Sequence, residues 1–252
     1  MTIMNSVNWN SVDQSGQDNL TIAYPEDLVT SQSSLIDEVE FAENQEPRCP
    51  CVLLLDTSGS MQGQPIAALN AGLSTFREDL MEDPVAPKRV EVAVVAFDTT
   101  VRLVQDFVTP DRFIPPTLTA QGATHMGAAI NTALDMVEQR KARYKEAGIP
   151  YYRPWVMMIT DGDPQGELFL FVDDAAKRVK REVNADRMVF FTVAVQGADV
   201  TQLMRMGFRT HLKLDGLKFN ELFVWLSRSM QAVTSEKSGG KFSFLPTPWA
   251  KK

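Results

Sequence analysis

Asp56, Ser58 and Ser60 place a carboxylate and two hydroxyls at alternate positions of the pentapeptide Asp56-Thr57-Ser58-Gly59-Ser60. All three side chains offer oxygen only. That donor set suits a hard cation such as Mg²⁺ better than zinc or copper. Two further residues could join them. Thr124, in Gly122-Ala123-Thr124, stands just before a helical pattern, and Asp161 follows an apolar run directly. Two carboxylates and three hydroxyls could then converge on one ion. Mg²⁺ is octahedral at ~2.0–2.1 Å and keeps several waters, so some of the five could bind through water and one position could stay free for a ligand. His125, next to Thr124, and Asp163, before Pro164, are candidates for the rim. Each residue alone has a plainer reading. Asp and Ser are favoured helix N-caps, as is Thr124, and Asp163 and Asp98 have the makings of turn residues.

The flanking elements decide whether these residues can meet. Residues 51–56 read as a buried strand ending on Asp56, and Pro65–Met81 as a helix carrying Ile66, Leu69, Leu73, Phe76 and Leu80 on one face. Val90–Phe97 is a nearly continuous apolar run, as in a strand covered on both sides. Only Asp98-Thr99-Thr100 separates it from a second extended run, Val101–Val108. That gap permits a hairpin and no crossover, so this pair is predicted antiparallel. Met126–Tyr144 reads as a helix with Ile130, Leu134 and Val137 inward, and Trp155–Thr160 as a buried strand ending on Asp161-Gly162-Asp163-Pro164. A helix over Phe169–Val183, a strand over Met188–Val195, a short helix over Val200–Met206, an edge strand over Thr210–Leu214 and a last helix over Phe219–Val233 complete the pattern. This alternation predicts an α/β fold: a doubly wound, mostly parallel central sheet with one antiparallel strand and helices on both faces. In such a sheet, ligands bind where the strands end, which is where Asp56 and Asp161 fall.

Composition sets the bounds. The 252 residues fit one domain with extensions, and the 44% apolar content is that of an ordinary soluble protein. No run approaches the ~18–20 apolar residues of a membrane span. The first basic residue is Arg48, so the positive region of a signal peptide is missing. The net charge of −7 is concentrated at the front, where residues 1–48 hold nine acids and one Arg. The remainder is nearly neutral and shows no basic field for nucleic acid. The basic helix face at Lys177–Arg181 reads as a solvated surface, with an acidic partner as the sharper alternative. Residues 1–42 read as an acidic, flexible leader and 235–252 as an extended tail. Cys49 and Cys51 read as strand-start cysteines pointing to opposite faces, unable to pair. With so few cysteines a reducing cytoplasm is expected.

Together, Asp56-Thr57-Ser58-Gly59-Ser60-Met61, Thr124 and Thr160-Asp161-Gly162 resemble the three loops of the metal-ion-dependent adhesion site in von Willebrand factor type A domains. The resemblance spans roughly residues 46–233 and places the domain at 43–234. It implies a non-catalytic module in which Mg²⁺ or Mn²⁺ bridges to the acidic group of a partner protein. A narrower likeness is carried by Glu43-Asn44-Gln45-Glu46-Pro47-Arg48-Cys49-Pro50-Cys51 and Pro65-Ile66-Ala67-Ala68-Leu69-Asn70. These are similar to bacterial TerY-type proteins, which implies an intracellular role in tellurium resistance or stress, with a Ser/Thr kinase and a PP2C-type phosphatase as partners. Two catalytic readings compete. A Mg²⁺-dependent phosphatase with Asp56 as nucleophile would need an acid two residues on, and Ser58 stands there. An aspartic protease would need two Asp-Thr/Ser-Gly loops. Asp56-Thr57 lacks the immediate glycine, and Thr160-Asp161-Gly162 has the wrong order.

Overall fold

The computed structural model describes residues 40–162, 164–195, 198, 203, 211–235, 245–247 and 249–250. The leader, Asp163, most of the helix expected over 200–206 and much of the tail lie outside the described residues.

Six strands form one sheet: β1 (Cys49–Asp56), β2 (Val90–Phe97), β3 (Val101–Val108), β4 (Trp155–Thr160), β5 (Val189–Ala194) and β6 (His211–Lys213). Their order is β3-β2-β1-β4-β5-β6. All neighbours are parallel except β2 and β3, which form the expected antiparallel pair. Four long helices flank the sheet: α1 (Gln64–Glu82), α2 (Met126–Glu146), α3 (Phe169–Asn184) and α4 (Phe219–Ser235). A single helical turn, Ala86–Arg89, leads into β2. No described helix is long and apolar enough to cross a membrane.

The two-residue period of the strands sorts their side chains into two cores. Leu53 and Leu55 of β1, with Val92 and Val94 of β2 and Met157 of β4, pack against α1 and α4. Val52 and Leu54, with Val95 and Met158, pack against α2 and α3. The strands are apolar at consecutive positions because both faces are covered. Helix α1 lies so close to α4 that a Cβ on Gly72 would stand 2.5 Å from Cδ2 of Phe223. Cys49 and Cys51 correct an expectation. Residues two apart on a strand project to the same face, and both thiols, buried and unpaired, lie in the α1/α4 core. Trp249 enters that core too, 5.3 Å from the Trp225 ring.

The chain leaves β1 through α1 toward β2 on one side, then returns through α2 to β4 on the other. The direction of winding therefore reverses between β1 and β4. A crevice outside the carboxyl ends of two such strands is the general ligand position of open parallel sheets.

Candidate functional site

Asp56 is the last residue of β1 and is fully buried. Its Oδ1 accepts the Ser58 amide at 2.8 Å, and its Oδ2 accepts the Thr160 hydroxyl at 2.5 Å. A single 3₁₀ turn, Gly59–Met61, then carries Ser60 to the surface. The Ser58 and Ser60 hydroxyls lie 3.0 Å apart. Ser60 Oγ donates to Asp161 Oδ1 at 2.7 Å, joining the loop after β1 to the loop after β4. Four of the five candidate oxygen donors thus form one hydrogen-bonded chain.

Thr124 is brought in by its backbone. The loop before α2 docks on the first loop through Gln121 N–H to Thr57 O, 2.7 Å, and Gly59 N–H to Gly122 O, 3.0 Å. Thr124 and Gln165 exchange two backbone hydrogen bonds of 3.1 and 3.0 Å, locking the same loop to the third. Thr124 is buried, three per cent exposed. Gly122 has φ 75°, and a Cβ there would meet Thr99 Oγ1 at 2.4 Å, so the turn needs glycine twice over. His125 sits at the start of α2, half-buried, and its Nε2 would lie 2.9 Å from a Cβ on Gly166 of the third loop. Asp163 lies outside the described residues.

Electrostatics set these carboxylates apart. Among the described residues, neither Asp56 nor Asp161 takes part in an ion pair with Lys, Arg or His. Burial pushes Asp56 up to about 6, against the hydrogen bonds from Ser58 and Thr160, and nearby Asp161 adds to the rise. Burial also raises Asp161, against the bond from Ser60. A carboxylate that loses its hydration without gaining a counter-charge is costlier to keep as an anion than one in water. A divalent cation would supply that counter-charge. Among the described residues no three His, Cys, Asp or Glu side chains gather as a ligand group. A cation here would rest on two carboxylates and neutral hydroxyls, an all-oxygen set that fits Mg²⁺ or Mn²⁺.

Asp98 is the contrasting case, and its plain reading as a turn residue agrees with its surroundings. Burial would raise it, but the Thr100 amide and the Arg102 guanidinium hold it below the usual carboxylate range. Arg102 reaches its Oδ2 at 2.6 Å and Thr57 Oγ1 at 3.2 Å, so this cluster braces the loop after β1.

Several supporting residues carry no periodic signal in the sequence. Thr160 holds Asp56 by its side chain. Glu167 caps α2, accepting the Gly127 amide at 2.6 Å and that of Ala128 at 3.3 Å. Lys177, Arg178 and Arg181 are answered by Asp173 and Asp174, by Asp135 and by Glu182, so these three make no free basic face.

Comparison with known proteins agrees with this architecture. The family model described as the von Willebrand factor type A domain matches residues 51–220. No curated protein matches the chain in sequence. Among solved structures, the pilus adhesin SpaC from Lactobacillus rhamnosus GG is 13% identical with a TM-score of 0.57, over 76% of this chain and 31% of its own. A von Willebrand factor type A protein from Catenulispora acidiphila is 15% identical with a TM-score of 0.55, over 74% of this chain and 43% of its own. Proximal thread matrix protein 1 from the mussel byssus, solved with a zinc-occupied MIDAS motif, is 14% identical with a TM-score of 0.50, over 73% of this chain and 47% of its own. The chain therefore spans between about a third and a half of the length of these neighbours, and at such identities the likeness is one of fold.

Proposed function

The chain belongs to the von Willebrand factor type A family, and from that premise we propose that it is a non-catalytic, Mg²⁺- or Mn²⁺-dependent protein-binding module. Asp56, Ser58, Ser60, Thr124 and Asp161 hold the cation, directly or through water, and the acidic group of a partner completes its shell. His125, at the start of α2, is the rim residue of this reading, and Asp163, outside the described residues, is its second rim candidate. The observation that carries this reading is Asp56, a buried carboxylate with oxygen donors around it and no ion-pair partner among the described residues. Two acids against a dication leave little negative charge, so the bound metal stays electrophilic toward an outside anion. The zinc-occupied motif of the mussel protein supports divalent occupancy of such a site. Ser58 stands where a phosphatase needs its acid, which disfavours Asp56 as a nucleophile.

The finer assignment rests on the resemblance of residues 43–51 and 65–70 to TerY-type proteins. It places the module in the bacterial cytoplasm, in a tellurium-resistance or stress complex with a Ser/Thr kinase and a PP2C-type phosphatase. Calorimetric titration of Mg²⁺ and Mn²⁺ tests the metal reading. Saturable binding by the wild type that Asp56→Ala abolishes is expected. Equal heats from the two proteins would overturn it. For the partners, co-purification of the kinase or phosphatase should survive in Mg²⁺ and end on chelation.

A further inference from the structure

Directly after the third loop come Leu168, Phe169, Leu170 and Phe171, exposed by 65, 59, 69 and 57 per cent. Elsewhere among the described residues, large exposed apolar side chains stand singly, or as the pair Leu103-Val104. Leu168 is the extended residue before α3, and Phe169, Leu170 and Phe171, at ~100° each, already span about 200° of the helix surface, so no single buried face can absorb them. The buried stripe of α3 begins only at Val172 and continues through Ala175, Ala176 and Val179. Contiguous exposed apolar surface of this kind marks an interaction site.

Its position ties it to the candidate metal site. Gln165 pairs with Thr124, and Glu167 caps the start of α2. A Cβ on Gly127 would stand 2.9 Å from the Phe171 carbonyl carbon, so the patch abuts the helix that begins two residues after Thr124. Charge is scarce around it. Glu167 is committed to the α2 amides, and Asp173 is paired with Lys177. Lys177 is in turn held by two aspartates, so among the described residues of α3 near the patch it is no free basic anchor for an anionic membrane.

We infer that Leu168–Phe171 form the apolar half of the partner-binding surface, and that the bound segment carries an acidic side chain beside bulky aliphatic or aromatic ones. The acid meets the metal and the apolar side chains cover the patch. This rests on the metal-dependent reading above.

Panning a library of short random peptides on the intact chain, with Mg²⁺ and with EDTA, tests it. The wild type should enrich peptides with Asp or Glu close to Leu, Ile or Phe, and only with Mg²⁺. The double variant Phe169→Ser/Leu170→Ser alters exposed positions and should keep the wild-type melting curve. It should still bind Mg²⁺ calorimetrically, but bind the selected peptides about tenfold more weakly, equivalent to about 1.4 kcal/mol. Acidic peptides without apolar companions would overturn the inference and leave the metal reading intact. Apolar peptides indifferent to chelation would overturn both, as would the absence of any enrichment. Sedimentation as a dimer that the double variant dissolves would show the patch covered by a second copy. Cosedimentation with phosphatidylcholine–phosphatidylglycerol vesicles would show it facing lipid. Either result overturns the inference.

Discussion

At the end of the sheet where β1 begins, Glu91 is fully buried between two arginines. Arg140 Nε lies 2.7 Å from its Oε2 and Arg48 Nε 3.5 Å from its Oε1, while the Tyr144 hydroxyl also donates to it. Arg140 is held in turn over the Phe41 ring at 4.9 Å. At the end where β1 finishes, Asp56 is just as buried but is met by an amide and a hydroxyl. The first carboxylate has its counter-charge built into the chain, and the second depends on something outside it. Removing a carboxylate from a buried cluster of cations and removing one from a neutral setting should therefore move stability in opposite directions. A site that keeps its charge unbalanced within the protein is poised for a cation; a balanced one serves only the fold.

Breaking the balanced end should have the largest effect. Glu91→Ala removes the carboxylate from between two buried guanidinium groups and should lose about 3–5 kcal/mol of unfolding free energy in denaturant titrations. A loss within the error of the method would mean that the two arginines do not depend on Glu91 as its geometry describes. At the other end the sign reverses. Asp56→Asn keeps an acceptor for the Ser58 amide and removes the buried charge, so the metal-free protein should gain about 3 kcal/mol at pH 7. The same denaturant experiment in EDTA measures it, and a destabilised variant would refute the contrast. Saturating Mg²⁺ should stabilise the wild type by about 2.7 kcal/mol at a hundred times its dissociation constant, and Asp56→Asn hardly at all. Thermal melts across a Mg²⁺ series would reveal either outcome.

The smallest effect is in pH. Asp56 titrates at about 6 in the folded chain, against an ordinary value of 3.8. Between these values the folded state holds the extra proton, so stability falls as pH rises through 6. Metal-free wild type should therefore gain about 1 kcal/mol on going from pH 7 to pH 5, and Asp161, raised for the same reason, works in the same direction. Asp98, and Glu182, which Arg187 holds down at about 2, stay ionised throughout that window and do not oppose the gain. The step should shrink in Asp56→Asn. An equal step in both proteins would assign it to another group.

Legibility in the sequence followed the range of the interactions. β2 and β3 begin and end where their apolar and extended runs do, because Arg89 and Asp98-Thr99-Thr100 punctuate them sharply. β1 starts two residues before the expected Cys51, at Cys49. Its ladder with β4 begins only at Cys51, so Pro50 pairs on one side, where a missing N–H is tolerated. The loops holding Asp56, Thr124 and Asp161 were identifiable because each is anchored to a strong local pattern. The bonds between them were not. Thr160 reaches Asp56 across 104 positions, and Gln165 finds Thr124 through backbone geometry that no residue type announces. Glu91 was concealed in a run read as apolar, since a lone charge in a central strand discloses neither Arg48 nor Arg140. The same limit applies to Leu168–Phe171, where composition alone does not separate core from open surface.

Trp249 gives the order of synthesis a structural meaning. The α1/α4 core contains strand residues from position 49 onward, yet this indole fills part of it from fourteen residues beyond the end of α4. At about 5–20 residues per second, the ribosome needs about 1–3 s after the end of α4 before the ring that closes that face has been made. The opposite face takes its last buried residues from Ala198 and Leu203, well before α4, and carries no such delay. Maturation of one nascent polypeptide is thus staggered across its two sides, and tryptophan emission, through the Trp225–Trp249 contact, offers a clock for the later one.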